Sequence, residues 1–247
     1  AKVEESSLDI STSSCAVNHD LDFLSICESS TSASSGASPE AFNASRMRTA
    51  PWYTHRMALV GIDCRFGSVL GGLGTYTRSL VTALLRRRDP WNYVLFVDDA
   101  NAEWLHPIRK TGVEIVEASF PHYSFSEQTE FPNLIQDHEP DLLLFPHFNV
   151  PLSCPVPFIC TVHDLILHRF PNEAGWLKRS AYRFVLRQAL SRALAVSTVS
   201  DYTKSDIRSV YGSVFDAKIH VMYPGISAEF KRTTKDAQDV IRAKYRL

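Results

Sequence analysis

Short apolar segments alternate with helical stretches along the chain from Ala58 onward. The predicted strands are residues 58–63, 93–97, 113–116, 142–145, 158–162, 195–199 and 218–222. The predicted helices are residues 74–88, 126–137 with an interruption at Pro132, 175–193, 202–211 and 236–245. Strands that alternate with helices of about ten or more residues form βαβ units with right-handed crossovers. The predicted fold class is therefore α/β, with a Rossmann-like doubly wound parallel sheet.

Composition excludes several classes of protein. The formal net charge of −1 lacks the basic excess that nucleic-acid-binding domains carry. No apolar run approaches the roughly 20 residues of a membrane span. The five cysteines have no spacing typical of metal ligands or of a disulfide framework. The sequence therefore predicts a cytoplasmic protein with reduced thiols and no metal site.

Residues 1–56 differ from the rest of the chain, because they are rich in Ser and Thr and show no sustained periodicity. Such a segment cannot bury enough apolar surface to offset its ordering entropy, so we expect a disordered extension. It resembles neither a secretory signal, which needs an apolar core, nor a transit peptide, which is poor in acidic residues. Since the chain begins without Met and Met57 precedes the first strand, we expect the functional protein to begin near Met57.

The apolar segment 158–162 ends on an adjacent imidazole and carboxylate, His163 and Asp164. In open α/β sheets, ligands bind in the crevice beyond the carboxyl ends of the strands. His163 is therefore a candidate site residue. A histidine at the end of a strand can equally do no more than hydrogen-bond a neighbouring loop, and the segment alone leaves both interpretations open.

Glycines at positions 67, 71, 72 and 74 lie between the first strand and its helix. Glycines let backbone N–H groups approach a ligand, and a helix N-terminus favours negative charge, so a phosphate or diphosphate is the expected ligand. The alternative is a turn that only allows tight packing of strand on helix. The spacing matches neither the P-loop motif nor the dinucleotide-binding fingerprint.

Two further features accompany the glycines. Asp98 and Asp99 end the second strand, where a nicotinamide-binding domain has an acidic residue for the ribose. An NAD(P)-dependent dehydrogenase domain is therefore an alternative, although the glycines lie too far beyond the first strand. Ser200 follows the sixth strand and is expected to be the N-cap of the next helix, on the same edge of the sheet as His163.

The helix predicted at 175–193 carries Arg179, Arg183 and Arg187 on one stripe, with no acidic residue from Ala174 to Ser200. The residues expected to form its apolar face are Phe184, Val185, Ala189 and Leu190. A basic amphipathic helix can lie on anionic lipid headgroups. The alternative is an ordinary solvated outer face, and the sequence leaves both open.

Taken together, several motifs resemble those of family 4 glycosyltransferases of the GT-B fold. They are G-G-L-G-T-Y-T-R-S-L after the first strand, F-P-H-F-N-V-P after the fourth, T-V-H-D-L, and V-S-D-Y-T-K-S-D-I. The segment K-I-H-V-M-Y-P-G-I-S is similar to that family's passage between its two domains. The resemblance covers residues 58 to about 245. Within the family, the chain looks most like bacterial mannosyltransferases of surface-polysaccharide assembly.

The resemblance implies a donor side for this chain. Gly71, Gly72 and Gly74 match the loop that faces the donor diphosphate. Ser200 and Lys204 lie in the motif that opens the next helix and are assigned to the same donor diphosphate and sugar. The co-substrate is implied to be a GDP- or UDP-linked sugar, with no cofactor and no metal. The family retains anomeric configuration and stabilises the departing diphosphate with positive groups and backbone dipoles.

The resemblance also implies a sugar-binding residue and an acceptor side. His163 matches the histidine beside the transferred sugar, and Asp164 is expected to hold either the turn or the imidazole. The loop that borders the acceptor is Phe145, His147, Phe148 and Asn149. The implied acceptor is a glycan or a lipid-linked molecule, and no nucleic acid is expected.

The resemblance divides the chain into the extension at 1–56, an N-terminal glycosyltransferase domain at 57–225, and a linker with a helix at 226–247. The family's donor-binding domain, with its E-x7-E motif, would follow. We therefore expect the acceptor-side half of a retaining glycosyltransferase, with little activity until joined to a donor-binding half. The alternative from another class is a non-catalytic binding module derived from such an enzyme.

Overall fold

The computed structural model describes residues 58–87, 89–170, 175–226, 230 and 233–246. The predictions for residues 1–56 lie outside this part of the chain. The described residues belong to two units, one that ends at Tyr223 and one that begins at Pro224.

Seven parallel strands form the sheet of the first unit in the described part of the chain. They are β1 (Leu59–Asp63), β2 (Asn92–Val97), β3 (Glu114–Glu117), β4 (Leu142–Phe145), β5 (Phe158–Val162), β6 (Ala195–Thr198) and β7 (Ile219–Val221). Their order across the sheet is β3-β2-β1-β4-β5-β6-β7. The chain thus builds outward from β1 to β3, returns to the other side of β1, and continues in the opposite direction. This is a Rossmann-like doubly wound α/β fold, as predicted.

Among the described residues of this unit, the helices are α1 (Gly72–Arg86), α2 (His106–Arg109), α3 (Phe125–His138), α4 (Ile166–Arg169), α5 (Trp176–Arg192) and α6 (Asp201–Tyr211). Single 3₁₀ segments cover Glu103–Leu105 and Gly212–Lys218. The predicted long helices and all seven strands are present, with ends within about two residues of the prediction. The two four-residue helices and both 3₁₀ segments were not predicted, because segments this short carry no periodic pattern.

Two hydrophobic cores lie on opposite faces of the sheet, because successive residues of a strand point to opposite sides. Val94 and Phe96 of β2 pack in the core that includes residues of α3, α5 and α6. Leu95 and Val97 of the same strand pack in the core that includes residues of α1 and α2. All four side chains are fully buried, as are most residues of β4, β5 and β6. Burial on both faces explains why these strands read as continuous apolar runs in the sequence.

Helix α3 continues through Pro132, so the predicted interruption was wrong. A proline removes the N–H that would bond to the carbonyl four residues earlier, here that of Gln128. The hydroxyl of Ser153 donates to this carbonyl instead (3.3 Å), and the amide of Leu152 donates to Gln128 Oε1 (2.9 Å). The loop after β4 thus supplies the missing hydrogen bond, and the same contacts fix that loop against α3.

The second unit contains helix α7 (Lys235–Tyr245). Thr234 is its N-cap and accepts a hydrogen bond from the amide of Ala237 (3.4 Å). Arg242 and Lys244 lie in its last turn, where positive charge is favourable at the helix C-terminus. This helix agrees with the one predicted from Asp236 to Tyr245.

Candidate functional site

The candidate site lies at the carboxyl ends of β1, β4 and β5. The strand order reverses between β1 and β4, and ligands of doubly wound sheets bind in the crevice at this switch point. Three loops meet there, and they begin after Asp63, Phe145 and Val162. Tyr123, in the loop that precedes α3, and Glu127, in the first turn of α3, contribute a fourth side.

A buried ion network lies beneath this site. Arg65, fully buried, donates through Nε and Nη2 to the two carboxylate oxygens of Asp63 (2.9 and 2.8 Å). Its Nη2 also pairs with Oε1 of Glu127 (2.9 Å), and its guanidinium lies 4.0 Å from the centroid of the Phe131 ring. Burial alone would lower the pKa of Arg65, but the two carboxylates reverse this and raise it. The guanidinium is therefore permanently charged and ties β1 to α3.

Glu127 connects this network to two loops of the site. Its Oε1 accepts from Nδ2 of Asn149 (2.8 Å), and its Oε2 accepts from the backbone amide of Tyr123 (2.6 Å). Burial alone would raise the pKa of Glu127, but His122, Arg65 and Asn149 together lower it. A charged carboxylate at this position therefore orients the loop after β4 and the loop before α3 at once. Removing one partner from such a buried network typically costs about 3–5 kcal/mol.

His147 is connected to Glu127 through Asn149, which hydrogen-bonds both, and is neutral. Its Nδ1 accepts a hydrogen bond from the backbone amide of Asn149 (3.1 Å), so the proton of the neutral ring is on Nε2. Burial, then the nearby His163 and His122, lowers the pKa of His147 to about 3. Its ring also packs against Phe66, with 5.0 Å between centroids. His147 thus offers one N–H donor and no positive charge at neutral pH.

His163 is the second neutral imidazole of the site. Its Nε2 lies 2.7 Å from the carbonyl oxygen of Pro146, which can only accept, so Nε2 carries the proton. Burial lowers the pKa of His163 against the opposing effects of the Pro146 carbonyl and Asp164. In this tautomer Nδ1 is a hydrogen-bond acceptor. Its ring lies 6.2 Å from that of His147 and meets the edge of Tyr76 at 4.8 Å.

The sequence left two roles open for Asp164, and the structure shows one of them. Its Oδ1 accepts from the backbone amide of Ile166 (3.0 Å), so Asp164 holds the turn into α4. The carbonyl of His163 accepts from the hydroxyl of Thr203 (2.9 Å), which attaches this turn to α6. The backbone at His163 is thus fixed by the turn into α4 and by α6, while its ring is held by the Pro146 carbonyl.

In the glycine loop, Gly74 is closely packed, whereas Gly71 and Gly72 have open space in front of them. A Cβ at Gly74 would lie 1.9 Å from the carbonyl oxygen of Val69, so Gly74 is needed for packing of the loop on α1. A Cβ at Gly71 or Gly72 would have nothing within 4 Å, and Gly71 has a φ of +114°, which side chains rarely adopt. The first turn of α1 has no side-chain cap, so its N–H groups are available to a ligand.

Arg78, a residue of α1, stabilises this loop through two hydrogen bonds. It donates to the carbonyl of Gly67 (2.5 Å) and to the hydroxyl of Thr75 (3.2 Å). A guanidinium therefore lies beside the glycine loop, where it adds positive charge to the helix N-terminus. Arg78 lies in the motif G-G-L-G-T-Y-T-R-S-L, but the sequence alone indicated no role for it.

Ser200 and Lys204 occupy the neighbouring strand-to-helix turn. Ser200 is the N-cap of α6 and accepts from the backbone amide of Thr203 (3.1 Å), as expected. Lys204 Nζ donates to the carbonyl of Ile219 on β7 (3.2 Å). One of its three donors is therefore used within the fold. The structure brings Ser200 to the same edge of the sheet as His163 through the contact with Thr203.

Three of the four residues assigned to the acceptor loop are buried. Phe145 and Phe148 pack in the hydrophobic core, and Asn149 is 2% exposed and bonded to Glu127. They therefore support the loop from inside the fold, and His147 alone of the four is partly exposed. The sequence could not separate these roles, because the loop is a continuous run of aromatic and polar residues.

Helix α5 differs from its predicted amphipathic pattern. Leu186, Ala189 and Leu190 are buried, whereas Phe184, assigned to the apolar face, is 52% exposed. Phe184 instead lies on the solvent side, with Arg183 and Arg187, which are exposed. Two more large apolar residues, Trp176 and Leu177, are exposed at the start of this helix. Arg179 is half-buried.

The residues that sequence reasoning missed are Arg65, Tyr123 and Glu127. The sequence contains a weak indication of these residues in two places. Asp63 and Arg65 follow a buried strand two residues apart, and Ser124 and Glu127 have the spacing of a capping box. In the structure Ser124 accepts from the amide of Glu127 (3.1 Å), while the carboxylate bonds to Tyr123.

A family model, Glycosyltransferase Family 4, matches residues 70–230, which is more than half of the chain. The chain belongs to glycosyltransferase family 4. The matched region includes the glycine loop, both imidazoles and the α6 turn. Membership in a glycosyltransferase family argues against the nicotinamide-binding alternative.

Two solved structures are similar to this family 4 chain. One is Anabaena HepE in complex with UDP, with a TM-score of 0.47 and 16% identity, covering 76% of this chain and 50% of that one. The other is a glycosyltransferase from Rickettsia africae, with a TM-score of 0.42 and 12% identity, covering 77% of this chain and 50% of that one. The chain thus spans about half the length of these structures. No curated protein matched it.

Three further observations concern only the described residues. None of their helices is both long and apolar enough to cross a membrane. They contain no cluster of His, Cys, Asp and Glu able to hold a metal ion. Cys64, Cys154 and Cys160 are buried free thiols, and burial raises the pKa of each.

We expect His147 to make the fold sensitive to acid. Its pKa of about 3 lies below the value of about 6.5 in an unfolded chain. The unfolded state therefore binds more protons below pH 6.5, and the free energy of unfolding falls as the pH drops toward 3. Between pH 7 and pH 5, the wild type should lose about 2 kcal/mol more than His147→Asn. Urea unfolding at both pH values measures this, and equal losses in the two proteins would contradict it.

We expect alanine substitutions at Gly74 and Gly72 to affect different properties, stability in the first case and ligand binding in the second. Gly74→Ala forces a Cβ onto the Val69 carbonyl and should lower the free energy of unfolding by about 1–3 kcal/mol or more. Gly72→Ala places its methyl group in open space and should leave stability unchanged, but weaken pyrophosphate binding at least threefold. Thermal unfolding and an NMR titration with pyrophosphate measure the two effects. Unchanged pyrophosphate affinity in Gly72→Ala would show that the loop is only structural.

Proposed function

We propose that this chain is the acceptor-side half of a retaining glycosyltransferase, which moves a sugar from a GDP- or UDP-linked donor to a glycan or lipid-linked acceptor. Family membership supports transfer of a sugar, and the resemblance to surface-polysaccharide mannosyltransferases makes mannose the first donor sugar to test. The observation that carries the proposal is the placement of an open glycine loop and two neutral imidazoles at the switch point.

The glycine loop is suited to the donor diphosphate. The uncapped N–H groups at the start of α1 and the guanidinium of Arg78 would face the negative charge that develops on the departing diphosphate. Gly71 and Gly72 allow close approach, because no side chain stands in front of the backbone. This arrangement stabilises a leaving group with preorganised dipoles and without a metal.

The two imidazoles are suited to sugar hydroxyls. His163 offers Nδ1 as an acceptor and His147 offers Nε2–H as a donor, so together they match a hydroxyl, which both donates and accepts. Because both rings are neutral, neither repels the cationic character that an anomeric carbon develops during transfer. We assign His163 to the transferred sugar and His147 to the acceptor side.

The test requires a polypeptide that contains both this chain and a donor-binding half of a family 4 enzyme. With GDP-mannose or a UDP-sugar, we expect turnover by this polypeptide and little by the chain alone. His163→Ala should lower kcat/KM about 10²-fold, since a misplaced sugar loses its reactive geometry. His106→Ala, on short helix α2, is the matched control and should change nothing. NMR of the product would show whether the anomeric configuration is retained.

Full turnover by His163→Ala would refute the role of His163. If the joined polypeptide bound glycans but transferred no sugar from any of these donors, the alternative of a non-catalytic binding module would be favoured. Inversion of the anomeric configuration would refute the retaining mechanism while leaving the transferase activity intact.

We further propose that α5 contacts an anionic membrane surface while the protein acts on its acceptor in the cytoplasm. Exposed Trp176, Leu177 and Phe184 lie on the same helix as exposed Arg183 and Arg187. Apolar and aromatic side chains that enter the lipid interface, next to basic residues that meet its charge, are typical of interfacial helices. Arg179 belongs to the same sequence stripe but lies closer to the core.

The vesicle experiment separates this contact from a solvated helix face. Wild-type chain should sediment with vesicles that contain phosphatidylglycerol and not with phosphatidylcholine alone. Arg183→Glu combined with Arg187→Glu should reduce binding about thirtyfold or more, because each basic residue near the surface contributes about 1 kcal/mol. Arg86→Glu combined with Lys110→Glu, two exposed residues outside α5, is the charge-matched control. Negligible binding of wild type to both vesicles would refute the proposal.

A further inference from the structure

Helix α1 turns a stripe of residues at every fourth position toward the sheet. Leu80 and Leu84 in this stripe pack against the hydrophobic core of that face. Tyr76 continues the stripe one turn nearer to the start of the helix, since residues four apart lie on the same side. Its ring contacts the imidazole of His163, with 4.8 Å between centroids and 90° between the ring planes. The helix that begins at the glycine loop therefore also reaches the imidazole that follows β5.

A single hydrogen bond does not fix the plane of the His163 ring. The bond from Nε2 to the carbonyl of Pro146 (2.7 Å) lets the ring turn about the line between the two atoms. The torsion that turns an imidazole has broad minima and offers little resistance. A second ring at right angles restricts this turning, because edge-to-face contact is one of the arrangements that aromatic rings prefer. In the described part of the chain, Tyr76 at 4.8 Å is a closer ring neighbour of His163 than His147 at 6.2 Å.

The sheet in turn fixes the position of Tyr76. Burial raises the pKa of Tyr76, and the nearby hydroxyls of Thr161 and Ser197 oppose this effect. Thr161 on β5 and Ser197 on β6 are partners in the register of these parallel strands. Tyr76 therefore lies over the strand that ends just before His163, and its hydroxyl is neutral at physiological pH. An uncharged ring in this place excludes water from the imidazole without adding a charge to the site.

We propose that Tyr76 is a positioning residue, whose ring holds His163 with Nε2 on the Pro146 carbonyl and Nδ1 directed to a hydroxyl of the transferred sugar. The proposal rests on the proposed transferase function, which gives His163 a sugar to bind. Because Tyr76 belongs to the helix that starts at the glycine loop, it also fixes the distance between the group that binds the diphosphate and the group that binds the sugar. A nucleotide sugar has to contact both at once.

The protonation of His163 in the chain alone is the first test. In the described part of the chain, the titratable groups that contact His163 or act on its charge are Tyr76 on α1, His147 in the loop after β4 and Asp164 in its own turn. Burial is the largest cause of the lowered pKa of His163. Tyr76→Ala admits water and should therefore raise this pKa toward the ordinary value of about 6.5. An NMR titration of the imidazole ring protons measures the rise.

Two variants separate the ring contact from the hydroxyl and from a general loosening of the fold. Tyr76→Phe keeps the ring, so the pKa of His163 should stay at its wild-type value. Tyr93→Ala is the matched control, because Tyr93 is another partly buried tyrosine that packs on the same core as Leu80 and Leu84, but at the start of β2. It should lower the urea midpoint and leave the pKa of His163 unchanged. In wild type, nuclear Overhauser effects between the Tyr76 and His163 rings are expected, and this measurement needs no variant.

Kinetics of the joined polypeptide test the effect on transfer. Tyr76→Ala should lower kcat about tenfold, because a misplaced imidazole no longer holds the sugar in its reactive geometry. The KM for the nucleotide sugar should change less than twofold, since the glycine loop and Arg78 remain. Tyr76→Phe should restore kcat, and Tyr93→Ala should match wild type. A higher KM with unchanged kcat in Tyr76→Ala would show that Tyr76 only binds the donor, and would overturn the proposal.

An unchanged pKa of His163 in Tyr76→Ala, an equal rise in Tyr93→Ala, or no Overhauser effect between the two rings would also overturn it. These measurements contain no sugar, so their outcome is separate from that of the proposed function. A Tyr76-dependent pKa without transfer by the joined polypeptide would keep the positioning of His163 and refute the transferase. Transfer at wild-type kcat by Tyr76→Ala would keep the transferase and refute the positioning role.

Discussion

The buried network of Asp63, Arg65 and Glu127 is the interaction on which the candidate site depends. A guanidinium with no solvent exposure requires charged partners, and they come from the end of β1 and the first turn of α3. Because Glu127 also binds Asn149 and the amide of Tyr123, a single carboxylate fixes the loops on both sides of the switch point. The position of these loops is thus set from inside the fold.

The same burial determines the chemistry of the imidazoles. His147 and His163 lie where the charged form is poorly solvated, so both pKa values are lowered and both rings are neutral. Their tautomers follow from the groups that face them, a backbone amide at His147 Nδ1 and a carbonyl at His163 Nε2. A donor and an acceptor, without charge, are therefore available at this edge of the sheet.

Much of the fold could be predicted, because burial of a parallel sheet on both faces leaves apolar runs that periodicity detects. Segment 158–162 was predicted as a strand in this way. Because His163 follows this segment directly, its position at the edge of the sheet was predicted as well. Pro132 misled the prediction, since the hydroxyl that replaces its missing N–H comes from Ser153. No local pattern indicates a hydrogen bond between residues so far apart in the chain.

The site was predicted less completely than the fold. The sequence placed Gly71, Gly72 and Gly74 in one ligand-binding loop, but only the surroundings of each Cα show that Gly74 serves packing. It grouped Phe148 and Asn149 with His147 as acceptor residues, although both are buried. Solvent exposure depends on what the rest of the chain covers, which one segment does not specify.

The sequence by itself determined the α/β architecture, the family, and the residue types available at the carboxyl ends of the strands. The tertiary structure decided which of those residues are exposed and which protonation states they hold. The physical reason is the distance along the chain over which each property is set. Apolar periodicity is a local property of the chain, whereas burial, ion pairing and tautomer depend on contacts between residues that lie far apart, such as Arg65 with Glu127.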